Sequence, residues 1–225
     1  MQILYEDNHI IAVNKSVSEI VQGDKTGDKP LVDIVRDYLK DKYGKTGNVF
    51  CGVVHRLDRP VSGVVLFAKT SKSLVRLNEM LQKHEIKKKY WAIVANPPKQ
   101  SKATLKHFLV HNQKQNKSYA YNTEKPDSKL AVLDYTTISK SDRYTLLEVD
   151  LHTGRHHQIR CQLAAIGSVI KGDLKYGAPR SNPDRGISLH AKSVEFIHPV
   201  KKEKIFITAP VPSEKLWQSI SYNCQ

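Results

Sequence analysis

Short runs of apolar and β-branched residues, separated by turn-forming residues, recur along almost the whole chain. TLLEVDL at 145–151 alternates with the period of two that is typical of a half-buried strand. The predicted strands are two in ILYEDNHIIAVNK at 3–15, joined at Glu6-Asp7-Asn8, then VVLFA at 64–68, YWAIVA at 90–95, LAVLDYTTI at 130–138, TLLEVDL, ISLHAKSVEFI at 187–197 and KIFITAP at 204–210. A chain of this kind can bury its apolar residues only by pairing many short strands.

A few segments repeat apolar residues at helical spacing instead. They predict three helices. The first follows Pro30 and has Leu31, Ile34, Val35, Tyr38 and Leu39 on one face, and the second has Leu74, Leu77 and Leu81 and runs into the basic run 87–89. The third begins near Thr153, has Ile159, Leu163 and Ile166 on one face, and ends at Gly167. Strands and helices do not alternate strictly, as a parallel sheet would require.

The predicted fold class is therefore α+β, with a central, mostly antiparallel mixed sheet and flanking helices and loops. Residues 96–129 are rich in Lys, Asn and Pro, which favours turns and an exposed hairpin, with an insertion as the simplest interpretation. No internal repeat, low-complexity linker or break in composition divides the chain. We predict one domain over residues 1–225.

The strongest compositional bias is positive charge. The chain has 36 Lys and Arg residues against 22 Asp and Glu residues, a formal net charge of +14. This excess favours a polyanionic partner, because each neutralised phosphate releases condensed counterions; a basic surface without such a partner is the alternative. Hydrophobic residues make up 40% of the chain and charged residues 26%, which excludes a disordered or fibrous protein.

Several absences bear on the compartment. No apolar run approaches the length of a membrane span, and the first residues, MQILYEDNHII, have no basic region leading into an apolar stretch. Cys51, Cys161 and Cys224 lie far apart and show no disulfide-scaffold or metal-site spacing. We expect a cytoplasmic protein that does not associate with a membrane.

The most unusual polar segment is HRLDRP at 55–60, directly before the predicted strand at 64–68. Asp58 stands between Arg56 and Arg59, and these cations favour the ionised carboxylate. Such a carboxylate suits a nucleophile or a base, whereas a structural salt bridge or a strand cap is an equally good interpretation of this segment alone.

Two further basic segments leave similar alternatives open. In HTGRHHQIR, Arg155 and Arg160 could lie on an exposed basic helix, or could contact phosphates and pair with Asp58. Tyr90 follows Lys87-Lys88-Lys89 at the start of a predicted strand, where an aromatic residue more often packs in a core than acts in a site.

Two other kinds of site are excluded by spacing. Gly44-Lys45-Thr46 lacks the glycine that a phosphate-binding loop needs five residues before its Gly-Lys pair. The histidines of the C-terminal half do not form HExxH, have no thiol near them, and adjacent ones such as His156 and His157 would point about 100° apart on a helix. His156 and Arg160, four apart, would share a helical face. We predict no metal site.

Four blocks together carry a family resemblance. HRLDRPVSGVVLFAKT, KKKYWAIV, HTGRHHQIRCQLAAIGSVIKGDLKYG and ISLHAKSVEFIHP resemble, in this order, the conserved blocks of the RluA-like pseudouridine synthases, which modify ribosomal and transfer RNA. The blocks span most of residues 50–200. The chain starts directly with the catalytic strands, so it resembles the compact members that lack an N-terminal RNA-binding module.

The resemblance implies a mostly antiparallel mixed sheet with an RNA cleft across its middle, and it implies three catalytic residues. Asp58 is the essential carboxylate, Tyr90 stacks near the target base, and Arg160 pairs with Asp58. Breaking the glycosidic bond of uridine and rejoining the uracil through C5 involves no net hydrolysis and no redox change, so no cofactor is expected. Asp58 would either attack the nucleotide or remove a sugar proton, and the sequence leaves both routes open.

The resemblance also makes RNA the expected partner, as a stem-loop of ribosomal or transfer RNA whose target base is flipped out of its stack. The residues expected to bind RNA are Arg56, Arg59, Lys87, Lys88, Lys89 and Arg155. We expect a monomer. Gln162 stands where relatives usually have histidine, and Val61 where they commonly have threonine; these two departures bear on substrate choice more than on the reaction.

Two other functions compete with this interpretation. A pure RNA-binding module or an inactive relative would use the same basic surface, but it would gain nothing from a carboxylate that repels phosphate. A nucleoside or glycoside hydrolase usually needs a second carboxylate, and none accompanies Asp58 in the four blocks.

Overall fold

The computed structural model describes residues 1–224, which form eleven strands and four α-helices. In chain order these are β1 (Gln2–Glu6), β2 (Ile10–Lys15), α1 (Leu31–Lys42), β3 (Gly52–Val53), β4 (Ser62–Ala68), α2 (Ser71–Gln82), β5 (Lys87–Val94), β6 (Lys102–Asn112), β7 (Lys117–Tyr121), β8 (Lys129–Lys140), β9 (Thr145–Leu151), α3 (Gln158–Ala165), β10 (Leu189–Ile197), β11 (Lys204–Thr208) and α4 (Lys215–Ser221). Two compact units contain them: unit 1 comprises residues 1–86 and 193–210, and unit 2 comprises residues 87–192 and the chain from 211 onward.

Unit 1 is built on short antiparallel strands. β2 pairs with both β1 and β4, β3 pairs with β4, and β10 pairs with β11 from Ser193 onward. Every residue of β4 is buried, as its unbroken apolar run predicts. Its core joins apolar side chains of β2, β4, β10, β11 and α2, including Ile10, Leu66, Leu77, Phe196 and Ile207.

The helices of unit 1 begin where local chemistry favours a start. Pro30 directly precedes α1, and proline tolerates a helix start because its missing N–H needs no partner there. Thr70 caps α2, since its hydroxyl oxygen accepts a hydrogen bond from Ser73 N–H at 3.2 Å. Both helices turn an apolar stripe inward.

Unit 2 is an antiparallel array in the order β5-β9-β8-β6-β7. One of its clusters packs Trp91, Ile93 and Leu146 against Trp217 and Ile220 of α4. A second cluster packs Cys161 of α3 against Leu109, Ala131 and Tyr176. α3 is therefore fixed over the β6 and β8 side of this array.

The predicted fold class is confirmed: the structure is α+β with mostly antiparallel strand pairing. Two local predictions were wrong: α2 ends at Gln82 and the basic run 87–89 opens β5, and residues 96–129 are not an insertion, because β6 pairs with β8 over eight residue pairs. The hairpin predicted within 96–129 is present as β6 and β7. α4 was not predicted. The alternation of β6 is weak in the sequence, because the buried position between Leu105 and Leu109 is a polar residue, His107. One domain over residues 1–225 stays a prediction. Within the described residues, no helix has both the length and the apolarity to cross a membrane.

Candidate active site

Asp58 lies in unit 1, in the loop that connects β3 to β4. Its backbone carbonyl accepts a hydrogen bond from Val61 N–H at 3.0 Å, which closes a tight turn directly before β4. The Asp58 side chain is half-buried, whereas Arg56 is exposed. Because β4 is buried along its whole length, the turn is anchored on one side by the core of the unit.

A buried lysine holds the same turn by hydrogen bonds to its backbone carbonyls. Lys15, the last residue of β2, is 0% exposed, and its ammonium group donates hydrogen bonds to the carbonyls of Ser16 at 2.9 Å, Arg59 at 3.1 Å and Val61 at 2.6 Å. Burial lowers the pKa of Lys15 to about 8, although the charges of Glu19 and Asp58 oppose that shift. Two of the carbonyls flank the Asp58 turn, so Lys15 fixes the backbone that presents this carboxylate.

Arg59 is directed toward a second loop of unit 1. Its Nη1 donates to a carboxylate oxygen of Asp28 at 2.7 Å, and its Nη2 donates to the Thr26 hydroxyl at 2.7 Å and lies 3.6 Å from Asp24. The guanidinium group therefore already has anionic partners in this structure.

The basic run of unit 2 is divided by the geometry of β5. Alternate residues of a strand point to opposite faces, so Lys87 and Lys89 share one face while Lys88 and Tyr90 share the other. Lys89 lies 2.5 Å from Glu148 and 3.7 Å from Asp150. Lys88 is half-buried, and burial alone lowers its pKa. Tyr90 is 7% exposed.

Gly154 lies beside Lys88. A Cβ placed on this glycine would lie 3.6 Å from the Lys88 ammonium nitrogen, so the loop from β9 to α3 passes directly over that cation.

The start of α3 differs from the prediction. The helix begins at Gln158, and His157 before it has a left-handed backbone with φ of 52°. The Gln158 side chain folds back: its oxygen accepts hydrogen bonds from the Thr153 hydroxyl at 2.7 Å and Arg155 N–H at 3.0 Å. These bonds hold 153–157 as a loop. The prediction that His156 shares a helical face with Arg160 is therefore wrong. Arg155 is exposed and donates from Nε to Leu130 O at 3.1 Å.

The histidines in this loop are stacked. The ring of His156 lies 3.8 Å from that of His157 and 3.9 Å from that of His111 on β6. His156 and His157 therefore do not point apart as predicted, because neither residue is helical. In residues 1–224, no three His, Cys, Asp or Glu side chains are grouped so that they could hold a metal ion.

Arg160 is buried in unit 2 and forms a two-point ion pair. Its Nε and Nη2 donate to the two carboxylate oxygens of Asp173 at 2.7 and 2.8 Å. The centre of its guanidinium group lies 5.2 Å from the ring centre of Tyr176, within the range of a cation–π contact. Burial raises the pKa of Tyr176, which is therefore a neutral phenol near neutral pH.

The model of the family described as RNA pseudouridylate synthase matches residues 9–165, a range that includes Asp58, Tyr90 and Arg160. The chain belongs to this family of pseudouridine synthases. As a pseudouridine synthase it is an isomerase that acts on RNA. The resemblance seen in the sequence is thereby confirmed.

Individual relatives cover nearly all of this synthase. It is 31% identical to a Bacillus subtilis RNA pseudouridine synthase, YhcT, over 95% of this chain and 70% of that protein. It is 31% identical to tRNA pseudouridine synthase C of Haemophilus influenzae over 98% and 96%, and 34% identical to ribosomal large subunit pseudouridine synthase C of Buchnera aphidicola over 93% and 66%. The structure of human RNA pseudouridylate synthase domain containing 4 has the same fold, with a TM-score of 0.78 at 22% identity, over 94% of this chain and 89% of that one.

Gln162, one of the synthase's two departures, is a structural residue of unit 2. Its side chain is 0% exposed, and its amide nitrogen lies 3.2 Å from both Leu105 O and Ala131 O and 3.1 Å from His107 Nδ1. It ties α3 to β6 and β8. Val61, the other departure, is 2% exposed.

Sequence reasoning missed three residues of the synthase that support named ones: Lys15 under the Asp58 turn, and Asp173 and Tyr176 around Arg160. Lys15 ends an apolar strand and entered the sequence analysis only as part of the net charge. The segment GDLKYG was quoted within a block of the resemblance, and its polar residues at spacing three were the available signal.

Proposed function

We propose that the enzyme isomerises specific uridines to pseudouridines in a stem-loop of ribosomal or transfer RNA, and that Asp58 is its catalytic carboxylate. The observation that carries this proposal is the presentation of Asp58: a half-buried carboxylate in a turn, backed by a fully buried strand and by the ammonium group of Lys15. A site that only binds phosphate has no use for a carboxylate fixed in this way.

The reaction balances without a cofactor. The bond from N1 of uracil to C1′ of the sugar breaks, the uracil turns, and a bond from C5 to C1′ forms. The proton on C5 is then lost and N1 takes up a proton, so the product is an isomer of the substrate. Asp58 either adds to the nucleotide or removes a sugar proton, and in both cases it returns to its initial state.

Two residues assist Asp58 in this proposal. Tyr90 supplies an aromatic surface near the target base, which must leave its stack at a cost of about a few kcal/mol. Arg160 supplies a guanidinium group that pairs with Asp58. A planar guanidinium can bind two carboxylates through different edges, since it has five N–H donors.

RNA contacts are assigned to the basic residues near these segments. Arg56, Lys87 and Arg155 are exposed and Lys88 has no acidic neighbour that shifts its pKa, which supports phosphate contacts. Lys89 and Arg59 have acidic partners, so their contribution requires those ion pairs to open.

We further propose that the enzyme acts as a monomer in the cytoplasm. Sedimentation velocity tests the oligomeric state, and cell fractionation tests the compartment.

The decisive test is Asp58→Asn. We expect the rate of tritium release, from RNA carrying tritium at C5 of uridine, to fall about 1,000-fold or more, because the amide keeps the shape of the side chain and cannot act as nucleophile or base. RNA affinity and the unfolding temperature should remain close to those of the unmodified protein.

The matched control is Asp33→Asn, which removes an exposed carboxylate on α1 that pairs with Arg36. It should keep the full rate. Substantial turnover by Asp58→Asn would show that another group performs the chemistry.

The substrate class is tested with fractionated RNA. Transfer RNA and ribosomal RNA from cells that lack the gene are labelled separately at C5 of uridine and incubated with the enzyme. The name of the Haemophilus influenzae relative favours the transfer RNA fraction, and the name of the Buchnera aphidicola relative favours the ribosomal RNA fraction. Release from neither fraction would refute the proposed substrates, and binding without release would favour an RNA-binding protein.

A further inference from the structure

Arg160 is held in unit 2 by two residues that approach it from one short turn. Asp173 immediately precedes a 3-10 helix, Leu174–Tyr176, and Tyr176 ends it. Residues three apart in a 3-10 helix lie on the same side, so the carboxylate of Asp173 and the ring of Tyr176 both reach the guanidinium group of Arg160. Both contacts to Arg160 therefore come from one short turn of the chain.

The turn itself is rigid. The carbonyl of Asp173 accepts hydrogen bonds from Tyr176 N–H and Ala178 N–H, both at 3.0 Å. Gly172 has a φ of 86°, and a Cβ there would lie only 2.7 Å from the Asn182 side chain. A side chain at position 172 is thus excluded twice, by backbone conformation and by space.

The outer end of Tyr176 is also fixed. Its hydroxyl oxygen accepts a hydrogen bond from Ser118 N–H on β7 at 2.9 Å and lies 3.1 Å from Nδ1 of His157. The tyrosine therefore links the edge strand β7 to the residue that precedes α3. Its ring cannot turn away from Arg160 without losing these contacts.

We propose that Asp173 is a positioning residue of the synthase, which acts by fixing the plane and direction of the Arg160 guanidinium group, with Tyr176 as its support. The proposal rests on the function assigned to Arg160 above. Two parallel N–H···O bonds define a plane, which a single contact cannot do. The Arg160 side chain is 5% exposed and that of Asp173 is 1% exposed, so water cannot substitute for the carboxylate.

The test uses four forms of the full-length protein: unmodified, Asp173→Asn, Arg160→Met and the double variant. Single-turnover tritium release is measured with enzyme in excess over transfer and ribosomal RNA labelled at C5 of uridine. Asp173→Asn should lower the maximal rate about 100-fold, the scale of a small misplacement of a catalytic group. The enzyme concentration that gives half the maximal rate should change less than threefold, because RNA binding is not altered.

The double variant separates positioning from a general structural role. If Asp173 acts through Arg160, Asp173→Asn should cause no further loss of rate once Arg160 is methionine. The double variant also removes both buried charges together, so it should fold even where the single variant is unstable. A double variant slower than Arg160→Met by the full factor of Asp173→Asn would overturn the proposal.

Two conservative variants complete the test. Asp173→Glu keeps the charge but displaces the carboxylate by one methylene, and it should lower the maximal rate about tenfold. Tyr176→Phe keeps the ring and loses the hydroxyl, and it should have a smaller effect than Asp173→Asn. Asp134→Asn, an exposed carboxylate of β8 paired with His152, is the control and should be fully active.

The outcomes distinguish the two levels of the argument. Asp173→Asn or Asp173→Glu protein that is folded and fully active, together with an Arg160→Met variant whose residual rate is strongly reduced, would refute only the role of Asp173. A fully active Arg160→Met would instead refute the role of Arg160 in the proposed function.

Discussion

Lys15 illustrates how a single buried charge can organise a loop. Its ammonium nitrogen donates to three backbone carbonyls, of which that of Val61 is buried, while that of Arg59 also accepts a hydrogen bond from Ser18 N–H. A buried lysine is tolerated because these bonds offset much of the desolvation penalty. The residue therefore belongs to the support of the Asp58 turn and does not add to the surface charge available to RNA.

Lys15→Met should slow tritium release and destabilise the protein. Removing the ammonium group takes the charged donor from the buried Val61 carbonyl and one of two donors from the Arg59 carbonyl, at a cost of about 2–3 kcal/mol in the free energy of unfolding. We expect at least about a tenfold loss of maximal rate, because the turn that presents Asp58 loosens. Urea denaturation and single-turnover assays measure the two effects, and a variant unchanged in both would contradict this role.

The rate should also depend on pH through Lys15. Its pKa is about 8 in the folded protein, so the ammonium group loses its proton as the pH rises above that value, and a neutral amine has too few hydrogens for three carbonyls. The maximal rate should therefore fall on the alkaline side with an apparent pKa near 8. Lys42→Met, which removes an exposed lysine, should keep this alkaline limb, whereas Lys15→Met should lose it. Loss of rate from ionisation of the RNA itself is common to both variants.

At the scale of an element, β5 sorts three adjacent lysines into different roles. Lys89 is held by acidic side chains of β9, while Lys88 lies half-buried on the Tyr90 face beside Gly154. The period of two in a strand, and not proximity in sequence, thus decides which lysine is available to a phosphate.

Lys88→Met should reduce the salt dependence of RNA binding more than Lys89→Met, because the ion pairs of Lys89 must open before it can contact a phosphate. Each phosphate contact on single-stranded or looped RNA contributes about 0.7 to the slope of log affinity against log salt concentration. We therefore expect the slope to flatten by about 0.7 for Lys88→Met. Fluorescence anisotropy over a salt series measures this value for both variants and the unmodified protein. Equal slopes in all three proteins would show that Lys88 makes no phosphate contact.

Tyr90, on the same face of β5, should act through its ring. Tyr90→Phe keeps the aromatic surface and should bind RNA normally, whereas Tyr90→Leu should weaken binding of the flipped-out base by about 1–3 kcal/mol. Anisotropy with a labelled stem-loop from the fraction that the enzyme modifies compares the two variants. Equal loss in both would assign the effect to the Tyr90 hydroxyl group, which both variants lack, and would contradict a role for the ring.

At the scale of the whole molecule, stability should depend on pH through carboxylates with unusually low pKa values. Burial disfavours the ionised form of Glu6, but hydrogen bonds from Lys42, Lys69, Tyr43 and Tyr38 outweigh it and lower the pKa to about 2. In the same way, backbone N–H groups, the Tyr5 hydroxyl and His198 lower the pKa of Asp7 to about 2 against burial.

His198 adds to this acid sensitivity. Burial lowers its pKa, although Asp7 at 2.8 Å opposes the shift. Its Nδ1 already accepts hydrogen bonds from the backbone N–H groups of Val200 at 3.1 Å and Lys201 at 2.8 Å. Protonating that nitrogen would break both bonds, so the folded state favours the neutral ring.

The free energy of unfolding should therefore fall as the pH falls. All three groups bind a proton more weakly in the folded chain than in the unfolded chain, so unfolding takes up protons and acid promotes it. The loss begins below the ordinary histidine pKa of 6.5 and grows between pH 4.5 and 2, where Glu6 and Asp7 each contribute about 2–3 kcal/mol. Urea denaturation between pH 7 and 3 measures it, and Glu6→Gln should flatten the lower part of the curve. A constant urea midpoint across this range would contradict the assignment.

Much of the fold could be predicted because its pattern is local. β9 was predicted at its observed bounds, and α1 begins one residue after Pro30. Strand alternation, helical spacing and turn-forming residues are properties of neighbouring residues, which a sequence displays directly. The pairing of β6 with β8 was not predicted because β6 is polar at most positions, and α4 was not predicted because it is only seven residues long.

The sequence by itself determined the family, the strand-rich α+β class, the basic character of the chain and the positions of Asp58, Tyr90 and Arg160. Tertiary structure alone decided the partners of the site residues. Lys15 holds the backbone of the Asp58 turn, Glu148 pairs with Lys89, and Asp173 pairs with Arg160. It also decided that α3 starts at Gln158, whose side chain bonds back to Thr153 and Arg155. The physical reason is that a charged side chain takes its partner from whatever the fold brings within hydrogen-bond distance, and in these pairs that partner lies from 13 to 59 residues away along the chain.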